Sequence, residues 1–188
     1  REHDKRVALG TMSRSGVKCP VHGNILTMED IQLEGQDNRL GSALTAVVVK
    51  GQDGKEYRLP TEHEVRAGNL PQEDIERVFR LIPYGVPTES IVEDAKHNTW
   101  CVQYGLSTFD RLFTPRQLYA SGVFLLALQA ALKTLTAGGY PDAWREAILG
   151  YLVSTFDKLL DHSALPCSWN VPNEQIRQVF ARFALPMA

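Results

Sequence analysis

Apolar residues in the second half of the chain recur at helical spacing. Asn69-Leu-Pro-Gln72 supplies a capping residue and an early proline, and apolar residues at 75, 78, 79 and 82 follow on one face. Thr114-Pro-Arg-Gln117 is a clearer helix start, because the threonine hydroxyl can cap the first amides and the glutamine can reach back. This start predicts a long helix that ends near Ala137, where two glycines follow.

Two further prolines, Pro141 and Pro172, open predicted helices. The first carries an apolar face of Trp144, Ile148, Leu152, Phe156 and Leu159, and the second one of Ile176, Val179, Phe180 and Phe183. The sequence therefore predicts three or four helices that pack together in its C-terminal part.

The N-terminal residues have the alternation of β-strands instead. Leu44–Lys50 is rich in β-branched residues, Gly51-Gln-Asp-Gly54 supplies a turn, and Lys55–Leu59 alternates, which predicts a hairpin over about 44–59. A short helix is predicted over 27–33, because Thr27 can cap it with Asp30 three residues later.

Together these patterns predict an α+β fold in three segments. Residues 1–60 form a small, β-rich, ribbon-like part, residues 61–113 a helix and an irregular connection, and residues 114–188 a helical bundle. The chain opens without methionine, and we expect it to be a piece of a longer protein.

Composition narrows the class of protein. The 188 residues are 44% hydrophobic with a net charge of −2, which excludes a disordered chain and offers no overall basic field for nucleic acid. The three cysteines, Cys19, Cys101 and Cys167, are widely spaced without a signal peptide, so we expect a reducing, cytoplasmic location. The charge-free stretch 117–132 is shorter than the roughly 20 residues of a membrane span, so we expect a buried helix and no membrane partner.

The turn Cys19-Pro-Val-His22-Gly23 has metal-like spacing. A thiolate and an imidazole placed on one tight turn can both reach a single zinc ion. A closed structural site needs four ligands, however, and the nearest further candidate is His3. The alternative is a β-turn that contains a cysteine and a histidine incidentally. Zinc binding is therefore possible, but we expect the chain to fold without metal.

The remaining candidates are basic residues that could contact phosphate and cysteines that could act as nucleophiles. Arg14, Lys18 and Arg39 near the ribbon, and Arg116 at the long helix, are candidate phosphate contacts, although dispersed basic residues are commonly just solvated surface. Neither Cys101 with His97 nor Cys167 with His162 has a glycine-rich oxyanion turn beside it, and no glycine-rich phosphate loop occurs. No catalytic residue is assigned.

Several short strings occur in a characteristic order. They are Gly10–Gly23, Glu34-Gly35, Arg39–Gly41, Leu59–Glu62, Tyr104–Leu106, Leu112–Leu118 and Ala184–Met187. In this order the chain resembles the adenine-specific DNA methylases of bacteria and archaea that carry a zinc-ribbon insertion.

The resemblance implies a parent protein of a restriction-modification type that transfers a methyl group from S-adenosylmethionine to adenine in DNA. It also implies that this chain lies between the cofactor motif and the Pro-Pro-Tyr motif, neither of which it contains. Two departures matter: His22 replaces the second cysteine of the family's ribbon turn, and Asp161-His-Ser-Ala164 lacks the family's asparagine.

Two roles then follow for the chain. The first is a noncatalytic inserted region that helps to position DNA, with DNA and the remaining catalytic domain as partners. The second is a scaffold or protein-interaction module that braces the catalytic halves or docks a defence-system partner. A basic surface beside the ribbon favours the first role, and an exposed apolar helix face favours the second.

Overall fold

A computed structural model describes residues 11–13, 15–92, 101–170, 172–177 and 179. These residues form five α-helices and seven short β-strands, so the predicted α+β class is confirmed. The chain divides into two compact units. Unit 1 comprises Arg1–Gly41 and Ser90–Ser107, and unit 2 comprises Ser42–Glu89 and Thr108–Ala188. The hairpin predicted over 44–59 therefore belongs to the helical unit, and the Cys19 turn belongs to the other.

Unit 1 combines a small antiparallel sheet with one helix. The strands are β1 (Met12–Ser13), β2 (Gly16–Lys18) and β3 (Ile25–Leu26), in that order across the sheet. Helix α1 (Met28–Gln36) follows, and the Asp30 amide donates to the Thr27 hydroxyl at 3.1 Å while the Thr27 amide donates to the Asp30 carboxylate at 2.8 Å. The predicted helix is thus confirmed with its cap, and it runs three residues further than expected.

Two glycines allow the turn near residue 104 to pack closely against α1. A Cβ atom on Gly35 would lie 2.3 Å from the Tyr104 carbonyl oxygen, and one on Gly105 would lie 2.0 Å from the Gly35 carbonyl oxygen. Gly105 also has a φ of +83°, which disfavours any residue with a side chain. The 3-10 turn Val102–Tyr104 and α1 therefore approach backbone to backbone.

The predicted hairpin is confirmed in unit 2. Strands β4 (Val47–Lys50) and β5 (Lys55–Arg58) pair antiparallel, with Val48 opposite Tyr57 and Lys50 opposite Lys55. Val47 and Val49 are half-buried, whereas Val48 and Lys50 are exposed, so one face of the hairpin turns toward solvent.

A second hairpin replaces the helix that was predicted from Pro172. Strands β6 (Ser168–Asn170) and β7 (Gln175–Arg177) pair antiparallel, with Trp169 opposite Ile176, so the helix prediction was wrong over these residues. Glu174 takes a φ of +47° in the connecting turn, which ends any helical path there. Phe180 and Phe183 of the predicted face lie outside the described residues.

Four helices complete unit 2: α2 (Glu62–Gly68), α3 (Gln72–Phe79), α4 (Pro115–Ala137) and α5 (Asp142–His162). Helix α4 begins and ends as predicted, with Thr114 and Gln117 capping each other. The predicted cap of α3 was wrong, because Pro71 occupies the N-cap position and Asn69 instead ends α2. Helix α2 was not predicted, although Thr61 and Glu64 form a capping box at its start.

The core of unit 2 lies between α3 and α4. Ile75, Val78 and Phe79 of α3 are buried against Leu118 of α4. The two helices come close at Gly122, where a Cβ atom would lie 2.7 Å from Val78 Cγ1 and 2.9 Å from the Phe79 ring. The absence of a side chain at position 122 therefore makes this packing possible.

Helix α5 packs on α4 through aromatic rings. Phe124 and Phe156 stack with centroids 5.4 Å apart. Helix α4 is long and apolar enough to cross a membrane by length and composition, with only 17% of its most apolar window buried within the chain. The prediction of a buried helix is therefore right for one face of α4 only, which carries Leu118, Ser121, Gly122 and Leu128.

We predict that Gly122→Leu lowers the free energy of unfolding by roughly 1–3 kcal/mol, because the added side chain overpacks the contact with Val78 and Phe79. Gly150→Leu is the matched control: position 150 is also helical, nothing lies within 4 Å of its Cβ direction, and leucine should stabilise the helix by up to about 1 kcal/mol. Urea unfolding of both variants measures the difference. Equal effects at the two positions would contradict the packing described.

Candidate functional site

The Cys19–His22 turn connects β2 to β3 in unit 1. The Cys19 amide donates to the Asn24 carbonyl at 2.8 Å, and the Gly23 amide donates to the Cys19 carbonyl at 2.9 Å. Gly23 has a φ of +73°, which lets the chain reverse tightly. Backbone amides of His22, Val21 and Gly23 point at Cys19 Sγ and lower the pKa of its thiol. The turn thus stabilises the thiolate form of Cys19 relative to a cysteine without these amides.

The two side chains of this turn are placed as ligands of one metal ion would be. Cys19 Sγ and His22 Nδ1 are 3.7 Å apart. On a tetrahedral zinc ion, with bonds of about 2.3 Å to sulfur and about 2.0–2.1 Å to nitrogen, such atoms would be separated by about 3.6 Å. The separation therefore suits a shared zinc ion and equally a direct hydrogen bond between the thiol and the imidazole.

The other half of a zinc site is not supplied by the described residues. Among them, no group of three or more histidine, cysteine or acidic side chains that could hold a metal ion occurs. His22 is exposed and Cys19 half-buried, so further ligands would approach from the solvent side. His3, the nearest sequence candidate, lies outside the described residues. The described part of the chain thus offers two ligands, which suits weak, reversible zinc binding.

The basic candidates near the ribbon have different surroundings. Lys18 is exposed, and its Cε lies 3.9 Å from where a Gly23 Cβ would be, so its stem runs along the metal-like turn. Arg39 forms ion pairs with Glu34 at 2.6 Å and Asp37 at 2.7 Å, and these carboxylates raise the pKa of its guanidinium. Lys18 is therefore better placed than Arg39 to meet a phosphate. Arg14 lies outside the described residues.

Arg116 belongs to unit 2, whereas Lys18 and Arg39 belong to unit 1. It lines a cleft of about 640 Å³ at the start of α4, and its Nη1 lies 3.1 Å from where a Gly68 Cβ would be. The described residues that line this cleft include a single charged side chain, that of Arg116, and the polar side chains of Ser42, Asn69 and Thr114. The cleft can therefore receive an anionic group.

The two remaining cysteines have the environment of structural residues. Cys101 is buried, and burial raises the pKa of its thiol. Cys167 is half-buried, burial likewise raises its pKa, and its Sγ lies 3.6 Å from the Asp161 carbonyl oxygen. Burial therefore disfavours the thiolate form of both cysteines.

An aromatic surface between the two hairpins of unit 2 was missed from the sequence. Tyr57 of β5 and Trp169 of β6 meet edge to face with ring centroids 6.1 Å apart, and their exposed fractions are 50% and 42%. The Lys55 ammonium donates to the Glu174 carbonyl, which joins the two hairpins. Desolvation and the neighbouring Glu174 carboxylate raise the pKa of the Tyr57 phenol. The register of the first hairpin could have indicated that Tyr57 lies on its exposed face. The position of Trp169 could not be indicated in the same way, because a helix and not a strand was predicted after it.

The helical hairpin also exposes large apolar side chains. Trp144 and Tyr151 of α5 and Val123 of α4 are exposed, as is Tyr140 in the connection between the helices. Such side chains are more common on protein interfaces than on other surfaces. These side chains are the observation on which the second role, an interaction module, depends.

Comparison with known proteins identifies no relative: no family model, no curated protein and no solved structure matches the chain.

We predict that the 188-residue chain folds without zinc, because two protein ligands leave most of the metal coordination to water. The double variant Cys19→Ser/His22→Ala should then have nearly the same melting temperature as the unchanged chain in a chelating buffer. Circular dichroism melting with elemental analysis measures both quantities. One tightly held zinc ion per chain, lost together with the folded structure on chelation, would contradict this expectation and require further ligands.

Proposed function

We propose that this chain is a noncatalytic inserted region of an S-adenosylmethionine-dependent, adenine-specific DNA methyltransferase. In this role it helps to position DNA or the target strand in a cytoplasmic bacterial or archaeal enzyme. The observation that carries the proposal is the order of the seven strings, which runs from residue 10 to residue 187 and so spans nearly the whole chain. The partners are DNA and the catalytic domain of the same parent.

The positions of these strings in the fold support a structural role for them. Gly35 and Gly105, from two strings, make a close backbone approach in unit 1, and Arg39 from a third forms an ion pair with Glu34. In unit 2, two more strings contain the capping threonines Thr61 and Thr114. The strings therefore include residues that build the two units, as expected of a region that supports a reaction carried out elsewhere.

The chain's own residues do not fit the methyl donor. Adenine methylation requires a cofactor loop and a motif that holds the flipped base, and the sequence contains neither a Gly-x-Gly-x-x-Gly loop nor a Pro-Pro-Tyr motif. S-adenosylmethionine would supply the methyl group in the parent. Contributions to DNA contact come from exposed basic side chains, of which Lys18 and Arg116 are the best placed.

A scaffold or protein-interaction module is the second candidate function. The exposed Trp144 and Tyr151 favour it, because they are an i, i+7 pair on one side of α5 and exposed aromatic side chains are enriched at protein interfaces. The two functions are compatible, because one surface of the chain can contact the catalytic domain while another surface contacts DNA.

We predict that the isolated chain neither binds S-adenosylmethionine nor methylates DNA, whereas the protein encoded by the whole reading frame does both. Calorimetric titration with the cofactor and transfer of tritiated methyl groups to DNA measure the two activities. A whole-frame protein from which residues 1–188 are deleted should retain cofactor binding and lose methylation efficiency. Micromolar cofactor binding by the isolated chain, or the absence of methylation by the whole protein, would contradict the proposal.

A further inference from the structure

We propose that the solvent-facing surface of the two hairpins in unit 2 binds single-stranded nucleic acid by base stacking. This surface, the hairpin patch, comprises Val48, Lys50, Lys55, Tyr57, Trp169 and Ile176. The inference rests on the proposed function for the identity of the nucleic acid as DNA, and it specifies the form of the strand that is bound.

The apolar part of the hairpin patch is formed by two cross-strand pairs. Val48 lies opposite Tyr57 in the first hairpin, and Trp169 lies opposite Ile176 in the second. Each of the four side chains is more than 40% exposed. The edge-to-face contact between Tyr57 and Trp169 joins the pairs, so they form one surface. This contact leaves much of each ring accessible to a planar partner.

Two lysines lie on the same face as the aromatic residues. Side chains of alternate residues in a strand point to the same side, so Lys50 lies beside Val48 and Lys55 beside Tyr57. Glu56 belongs to the opposite face, where it lies across from Val49. The carboxylate of Glu174 accepts a hydrogen bond from the Tyr57 hydroxyl.

The register of the lysines makes an anionic ligand the favoured occupant. Lys50 and Lys55 lie directly opposite each other, and like charges in that position destabilise a hairpin. Lys55 is partly compensated by the Glu174 carbonyl oxygen, and a phosphate between the two ammonium groups would remove the remaining repulsion. Sites that break a local rule of stability are where function is expected.

Aromatic rings beside lysines identify the ligand more closely. Lysines beside the rings favour a nucleic-acid strand, because such a strand presents a phosphate next to every base. Stacking on aromatic side chains with basic groups along the backbone is the general mode of binding unpaired strands. A duplex keeps its bases stacked on each other and cannot use the rings. The hairpin patch therefore fits an unpaired segment, such as the strand exposed when a base is flipped out.

Tryptophan fluorescence tests the proposal directly. The chain has three tryptophans, so Trp100→Phe/Trp144→Phe leaves Trp169 as the single reporter, and Trp100→Phe/Trp169→Phe leaves Trp144, which is 65% exposed on α5, as the matched control. Both proteins are titrated with a dT15 oligonucleotide, with an abasic deoxyribose-phosphate strand of the same length, and with a 15-base-pair duplex. We expect dT15 to quench Trp169 but not Trp144, and the abasic strand to quench neither.

Variants separate stacking from charge. We expect Tyr57→Ala to weaken dT15 binding by about tenfold or more, as one lost stacking contact does, while Tyr151→Ala on α5 leaves it unchanged. Lys50→Gln should reduce the slope of log affinity against log salt by about 0.7. Circular dichroism verifies that each variant is folded. No quenching of Trp169, equal quenching of Trp144, or equal effects of Tyr57→Ala and Tyr151→Ala would overturn the proposal.

The outcomes also separate this inference from the proposed function. If dT15 does not quench Trp169 in a whole-frame protein that still methylates adenine, strand binding at the hairpin patch is rejected and the methyltransferase proposal is retained. If dT15 quenches Trp169 but the whole protein does not methylate DNA, strand binding at the hairpin patch is retained and the methyltransferase proposal is rejected. Quenching of Trp169 by an apolar peptide and not by dT15 would identify the patch as a protein interface and would also overturn the proposal.

Discussion

Gly122 allows α3 and α4 to pack with Val78 and Phe79 directly against the α4 backbone, and the rest of unit 2 is held in place from that contact. Helix α4 continues to the stacked pair of Phe124 and Phe156, which positions α5. Beyond α5, the Leu165 amide donates to the Leu112 carbonyl at 2.7 Å and so ties the chain after α5 back to the start of α4. The second hairpin begins a few residues later, at a position set by these helices.

The first hairpin is attached by charge and by aromatic contact. Arg58 at the end of β5 forms an ion pair with Glu64 of α2 at 2.6 Å, and this guanidinium, followed by the Thr61 amide and hydroxyl, holds the pKa of the carboxyl well below its usual range. On the opposite face of the hairpin, the Tyr57 ring contacts the Trp169 ring. The Arg58 face thus attaches the hairpin to α2, while the Tyr57 face contacts the second hairpin and still leaves Tyr57 half exposed.

The sequence predicted those elements whose signals are local. Thr114 and Gln117 are three residues apart and form a cap by themselves, and the Gly51–Gly54 turn determines its own hairpin register. The helix from Pro172 was wrong because a short apolar run suits a helix face and a strand equally, and the pairing of Ile176 with Trp169 decided between them. The hairpin patch could not be predicted, because Tyr57 and Trp169 are separated by more than a hundred residues of chain whose path only the fold determines.

The candidate metal turn illustrates the same division. The spacing of Cys19 and His22 was visible in the sequence, and the structure places Cys19 Sγ and His22 Nδ1 3.7 Å apart, while zinc binding itself stays a prediction. What the sequence could not show is that Arg39 is engaged by two carboxylates while Lys18 is exposed, since those partners depend on where α1 ends. In this account unit 1 contributes the Cys19–His22 turn and the exposed Lys18, and unit 2 contributes the aromatic and basic hairpin patch that we propose for an unpaired strand.

Photocrosslinking tests most directly whether this region positions DNA. The whole-frame protein is irradiated in complex with target DNA in which 5-iodouracil replaces the thymines around the adenine, and the crosslinked peptides are identified by mass spectrometry. The account predicts crosslinks within residues 47–58 or 168–177, at Tyr57 or Trp169. Crosslinks found only outside residues 1–188, in a complex that is active in methylation, would contradict it.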